Sequence, residues 1–417
     1  MRPFPRIQVS ELIAAGEAEL KTGPFGTQLK ASEYTKQGTP VINVRNIGMG
    51  SIKVDKLEYI SIDTRNRLSS HLLLPDDIVF GRKGAVERHV FIRKEQDGWF
   101  QGSDCLRLRF HSPKVVPLFA SYYFITQEHQ KWMMNQCSHG ATMSSLNQDI
   151  LERIELPIPP VLIQRRISDI LSAYDELIEN NQRRISILEE MARALYREWF
   201  VYFHFPGHEK VNRIDSPLGK IPKGWEVKKL GELTSYLNRG LSPGYDENGD
   251  SVVINQKCIR DQSLNLNPAR RQSKAIPPEK LVRFGDVLIN STGVGTLGRV
   301  AQVYLNLSQC TVDSHITIAR ANPDSDPDFF GCTLLSQQNT FERLGVGATG
   351  QTELNRTSIA NIELVVPPVG IQRRFGRIVH PIRAATVIFA NQTTNLRRTR
   401  DLLLPRLLSG QIELKTN

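Results

Sequence analysis

The chain has only five cysteines in 417 residues, at positions 105, 137, 258, 310 and 332, and no two of them stand as C-x-x-C or at a metal-site spacing. An odd, scattered set gives no disulfide framework, which argues against a small cross-linked secreted fold and for a reducing compartment. No stretch approaches the roughly 20 apolar residues that cross a bilayer. The opening MRPFPRIQVSELIAAGEAEL lacks the apolar core of a signal peptide. A cytoplasmic protein without a membrane partner is expected. Also missing is the G-x-x-x-x-G-K-[ST] loop that cradles ATP phosphates. Asp76, Asp77 and Asp286 sit where turns enter strands, the usual place for aspartate, so no acid/base pair stands out.

What is present begins with size and charge. A chain of 417 residues exceeds one ordinary core and suggests two or three domains, and 40% hydrophobic residues give each enough to bury. Lys plus Arg number 53 against 43 Asp plus Glu, a formal charge of +10 that favours a polyanion, nucleic acid ahead of an anionic membrane.

The chain repeats itself. IELPIPPVLIQRRI around Ile163 returns 208 residues later as IELVVPPVGIQRRF around Ile371. Upstream, SHGATMSSLNQDI pairs with GVGATGQTELNRTSI, TPVINVRNI with SVVINQKCI, and LPDDIVFGRKGAVERHVFI with RFGDVLINSTGVGTLGRVAQV. Two similar modules stand in tandem, their divergence suggesting two different binding surfaces on one scaffold.

The repeat also decides how to read Gly293-Val-Gly-Thr-Leu-Gly298, which has the G-x-G-x-x-G spacing of a dinucleotide loop. That site needs a helix after the last glycine and an acidic residue about 20 positions on. RVAQVYL instead alternates like a strand, and GRKGAVERHVFI in the first copy reads strand, loop, strand without the glycines. A hairpin loop is expected, not a nucleotide site. His204 and His208 have the i, i+4 spacing of a zinc helix, but Pro206 and Gly207 break that helix, so a structural loop is expected.

After each Pro-Pro the period becomes helical. Ile163, Ile167, Ile170, Tyr174, Leu177, Asn181, Arg184, Leu188, Met191 and Leu195 step by four and three. Ile371, Phe375, Ile378, Ile382, Ala385, Phe389, Gln392, Leu396, Thr399 and Leu403 repeat the register. A helix over 161–200 would span about 60 Å at 1.5 Å per residue, the length of a spacer. Each stripe could pack on its own module, but two equivalent stripes have an economical solution in packing on each other. Pro381 predicts a kink or break near His380, and Pro405 the end of the second helix. The arginine pairs at 165–166, 183–184, 373–374 and 397–398 are expected on solvated or helix-partner faces.

The doubled Pro-Pro-x-x-x-Gln-Arg-Arg segment, ILEEMARALYREWFVYF, IPKGWEVKKLGEL and RDLLLPRLLSGQI resemble the specificity subunits of type I restriction-modification systems over essentially the whole chain. The resemblance implies an α+β chain of two tandem mixed α/β target recognition domains, separated by two long helices that pair as an antiparallel coiled coil with a pseudo-two-fold axis. The expected boundaries are 1–157 for the first recognition domain, 158–203 for the first spacer and 204–220 for the linker. The second recognition domain takes 221–364, its spacer 365–410 and a tail 411–417. In the family each recognition domain reads one half of a split, asymmetric sequence in double-stranded DNA. The spacers dock two modification subunits, which carry S-adenosylmethionine and methylate adenine. Two restriction subunits using ATP and Mg join that core. Pro381 departs from a straight second spacer. The chain itself is expected to hold no cofactor and no reacting group, and it lacks the Asn-Pro-Pro-Tyr/Phe motif of an amino-methyltransferase.

Base-reading side chains are expected on the repeated loops, because loops vary freely on a fixed scaffold. In the first module these are Arg82, Lys83, Arg88 and His89, with Ser138, His139 and Thr142 on the glycine-alanine-threonine loop. In the second they are Asn290, Ser291, Thr292, Thr296 and Arg299, with Thr349, Gln351 and Asn355. Lys30, after TGPFGTQL, is expected on a phosphate. Two rival readings remain: a self-sufficient DNA-binding regulator, and a nucleotide-dependent enzyme.

Overall fold

The computed structural model describes residues 4–137, 145–345 and 353–414. Each Pro-Pro of the repeat ends a strand and starts a helix. The strands Glu155–Pro157 and Glu363–Val366 stop just before them. The carbonyl of Pro160 then accepts the N–H groups of Ile163 and Gln164, and that of Pro368 those of Ile371 and Gln372. The motif glutamines explain themselves. Gln164 is fully buried, donating Nε2 to the carbonyls of Pro159 and Lys114 and accepting from the Val116 N–H. Gln372 is buried too, donating to the Pro367 carbonyl and accepting from the Asp326 N–H. Each therefore ties a helix start to its own lobe, while Arg165, Arg166, Arg373 and Arg374 are exposed.

The chain divides into two compact units, 1–178 with 394–417 and 179–393. In the first, a five-stranded sheet runs in the order Ala18–Thr22, Cys105–Phe110, Ile78–Gly81, His89–Phe91, Met49–Gly50. Its pairs are antiparallel except the last. In the second, Thr234–Arg239, Ile316–Ala321, Val287–Asn290 and Val300–Gln302 form an antiparallel four-stranded sheet. The same Asp–Arg pair lies under both. Arg109 grips Asp77 with Nε and Nη2 at 2.6 and 2.7 Å, and Arg320 grips Asp286 at 2.8 Å twice. Each aspartate also accepts a backbone N–H, from Leu74 and Arg283 respectively. These carboxylates, read from sequence as turn residues, lock a strand entry to the neighbouring strand.

The long helices run Val161–Tyr196, closed by a wider π turn at Arg197–Val201, and Val369–Leu408. Inside each unit the segments of the two helices pair antiparallel. In the first, Asp175 pairs with Arg400 while Ile167 and Leu171 share a core with Leu404, Leu407 and Leu408. In the second, Asn181 meets Gln392 at 3.5 Å, the Arg184 guanidinium lies 5.3 Å from the Phe389 ring, and Tyr196 packs on Phe375. Each segment pair also packs on its lobe: Phe119 and Phe124 belong to the first core, Phe329 and Phe330 to the second. The two alternatives for the stripes hold together within each unit.

Three expectations about these helices need correction. The stripe turns by one residue along one of its two lines: Leu177 and Met191 are 53% and 51% exposed, whereas Ile178 and Ala192 are buried. Likewise Ile378 is exposed and Val379 buried. Apolar residues occupy both adjacent positions, so spacing alone could not choose between them. The second helix has no break at Pro381, where the carbonyl that loses its partner belongs to exposed Arg377 and water can satisfy it. It also runs past Pro405 to Leu408, with buried Leu404, Leu407 and Leu408 holding that last turn in the first core.

Candidate nucleic-acid interface

Each sheet contains the repeated hairpin, Ile78–Gly81 with His89–Phe91 and Val287–Asn290 with Val300–Gln302. The glycine pattern belongs to the second hairpin's loop. Gly293, Gly295 and Gly298 have φ of +100°, +72° and +80°, where a side chain is strained. A Cβ on Gly298 would lie 2.6 Å from the Glu342 backbone nitrogen. The Gly298 N–H returns to the Asn290 carbonyl and the Asn290 N–H to Arg299, so a strand follows where a dinucleotide site needs a helix.

Beside each hairpin three loop ends meet. In the first unit the Arg82 N–H donates to the Asp104 carbonyl, the Leu146 N–H donates to Arg82, and Lys83 bridges Ser145. In the second the Ser291 N–H donates to His315, the Leu354 N–H to Ser291, and Thr292 bridges Glu353. All four of these hydrogen bonds measure 2.8 Å. The backbone is the same in both. The side chains are not: Lys83 Nζ stands 3.5 Å from Asp104 Oδ1, whereas Thr292 Oγ1 lies 2.8 Å from His315 Nδ1.

A model of the type I restriction modification DNA specificity domain matches residues 21–190 and 222–396. The chain belongs to this family. Its relatives include the MjaIX specificity subunit of Methanocaldococcus jannaschii, 26% identical over 310 residues, covering 72% of this chain and 70% of that one. The HindI specificity subunit of Haemophilus influenzae is 23% identical over 395 residues, covering 78% and 84%. The crystal structure of a type I S subunit from M. genitalium shares the fold, with a TM-score of 0.65 over 98% of this chain and 99% of that chain at 17% identity. Two specificity domains in tandem with long helices are thus the architecture of the chain. Among the described residues no helix is long and apolar enough to cross a membrane.

Within this specificity fold, the residues expected to read bases fall into three groups. Lys83 is exposed at its junction, with Arg82 and Arg88 half-buried beside it. Arg82 Nε is buried with no partner among the described residues, and Arg88 lies 3.5 Å from Glu87. In the second unit Thr292, Thr296 and Arg299 are half-buried on the loop, and Arg299 donates to the Gly295 carbonyl at 2.7 Å. Lys30 is exposed, its N–H held by Glu33 at 2.8 Å. Asn355 is exposed and caps a short helix by accepting the Ser358 N–H, as Asn147 does for Ile150 in the first unit.

The second group must be withdrawn from the interface. His89 is fully buried, its Nε2 2.8 Å from Ser121 Oγ and its ring centroid 5.5 Å from that of Phe124; burial pushes its pKa down to about 3. A neutral imidazole in an aromatic core reads no base. Asn290 is fully buried, donating to the Gln256 and Thr296 carbonyls. Ser291 is fully buried against Thr317 Oγ1 at 2.6 Å. Both brace the loop from inside, at and just past the end of the strand Val287–Asn290. The third group, Ser138, His139, Thr142, Thr349 and Gln351, lies outside the described residues.

Sequence reasoning missed Asp104, Ser145, His315 and Glu353. Asp104 and His315 precede the strands Cys105–Phe110 and Ile316–Ala321, and the aligned repeat reaches neither. Around His315 the electrostatics are local. Burial pushes the neighbouring Asp313 carboxyl upward, against the bond its Oδ1 accepts from the His315 N–H. Arg239 closes the far side on Glu353 at 2.6 Å. His204 and His208 each bond locally, to Glu198 at 2.9 Å and to the Phe205 carbonyl at 2.9 Å.

Proposed function

We propose that this chain is the DNA-reading subunit of a type I restriction-modification complex, each unit reading one half of a split, asymmetric site in double-stranded DNA. The observation that carries the reading is one loop junction, built twice on the same backbone and furnished with different side chains. A formal charge of +10 suits phosphate contacts that supply affinity without sequence information, which leaves the junctions to supply discrimination.

The chain contributes no reacting group in this reading. Two modification subunits bring S-adenosylmethionine and adenine methylation, and two restriction subunits bring ATP, Mg, translocation and cleavage. Docking has support in side chains that the helix pairs leave uncovered: Leu177, Ile187 and Met191 on the first helix and Ile388 and Leu402 on the second are each more than half exposed. The assembly works in the cytoplasm, without a membrane.

The test is methylation mapping in cells that express this chain with its methyltransferase partner. The expected result is one methylated motif of two short sequences around a fixed gap, absent when either protein is omitted. A contiguous motif, or sequence-specific binding of equal strength by the isolated chain, would favour a self-sufficient regulator instead.

A further inference from the structure

We infer that the two loop junctions are the equivalent base-reading positions of the two units, with Lys83, Asp104 and Ser145 reading for the first and Thr292, His315 and Glu353 for the second. The inference rests on the proposed DNA-reading function and names the side chains that perform it.

The duplication kept some features of the two units and changed others. Retained are the devices that fix the backbone: the pairs Asp77–Arg109 and Asp286–Arg320, the buried Gln164 and Gln372, and the exposed caps Asn147 and Asn355. Retained too is the backbone of the junction, with the same pair of hydrogen bonds and the same bridge in each unit. A shared backbone at matching positions, bearing side chains of different chemistry, is the form that specificity takes when two sites must read different sequences.

The chemistry of each set suits base edges. In the first unit Lys83 is 59% and Asp104 53% exposed, a loose ion pair at 3.5 Å. It can open to offer a donor to guanine O6 or N7 and an acceptor to cytosine N4. In the second unit a hydrogen-bond network holds the imidazole by its Nδ1. Gln256 Nε2 donates to Thr292 Oγ1 at 3.0 Å, and that hydroxyl lies 2.8 Å from His315 Nδ1. This leaves Nε2 for a base edge: protonated it is a donor suited to guanine O6 or thymine O4, and unprotonated an acceptor suited to adenine N6 or cytosine N4. Arg239 holds Glu353 at 2.6 Å, so this carboxylate is positioned rather than loose.

The experiment exchanges the pairs in the full chain, co-expressed with its methyltransferase: K83T with D104H in one variant, T292K with H315D in the other. Methylated motifs are then mapped. The first variant is expected to change one half-sequence only, the second the other half only, with the gap unaltered. Where an exchange abolishes methylation, D104N and H315Q are read in its place, each expected to cost about tenfold in preference at a single base. Unchanged half-sequences in both exchanges, or unchanged preference in both single variants, would overturn the assignment. If the parent chain itself gives no split motif, it is the functional reading that has failed, so the two failures are distinguishable.

Discussion

Asp286→Ala should destabilise the second unit by about 3–5 kcal/mol, seen as a large fall in the urea midpoint of the full chain. The carboxylate is 1% exposed and takes two hydrogen bonds from Arg320, itself 14% exposed, as well as the Arg283 N–H. Removing it strands a guanidinium with too little water to replace its partner. An exposed surface ion pair is worth only about 0–1 kcal/mol, so the size of the effect separates a structural lock from a turn aspartate. The paired variant Asp286→Ala with Arg320→Met should recover much of the loss, because it removes the buried charge together with its partner. A midpoint unmoved by Asp286→Ala would show that the pair does not hold the sheet.

The second large effect is acid sensitivity concentrated in the first unit. Burial holds the pKa values of His89 and His129 down at about 3 and that of His71 at about 4, against 6.5 unperturbed. All three lie in the first unit. Between pH 6.5 and 3 the unfolded chain binds protons that the folded unit refuses, so stability is full above 6.5 and falls as pH drops through that window. At pH 4.5, His89 and His129 should each withdraw on the order of 2 kcal/mol. In the second unit Asp313 and Asp326 have carboxyls pushed upward by burial, and their protonation favours the folded state as pH falls. Hydrogen-exchange protection of Ile78–Gly81 and His89–Phe91 should therefore collapse between pH 6.5 and 4.5, while Val287–Asn290 and Ile316–Ala321 stay protected. Loss of protection in both units at one pH would refute this. Replacing His89 and His129 by phenylalanine should shrink the acid step of the first unit.

The tandem repeat, the hairpin and the long helices were legible because each leaves a periodic or duplicated trace: alternation in RVAQVYL, steps of four and three after Pro160 and Pro368. Details governed by tertiary contact left no such trace. Ile178 rather than Leu177 turns inward, although both are apolar. Helix continuity at Pro381 goes with the exposure of Arg377, whose carbonyl loses its partner to the proline. The loop chemistry was legible for Lys83 and Thr292, which stand inside the aligned segments. His89, Asn290 and Ser291 were misplaced because a polar side chain at a strand end looks the same whether it faces solvent or the core. Asp104 and His315 went unseen because backbone hydrogen bonds, not sequence proximity, bring them to the loops.

If the chain reads split DNA as proposed, its helical spacers set the gap between the two half-sequences. Inserting four helical residues into one spacer, about 6 Å at 1.5 Å per residue, and mapping methylation with the partner methyltransferase tests it most directly. At roughly 3.4 Å per base pair, the gap should widen by about one or two base pairs with both half-sequences unchanged. An unchanged gap, or a half-sequence altered by the insertion, would contradict the account.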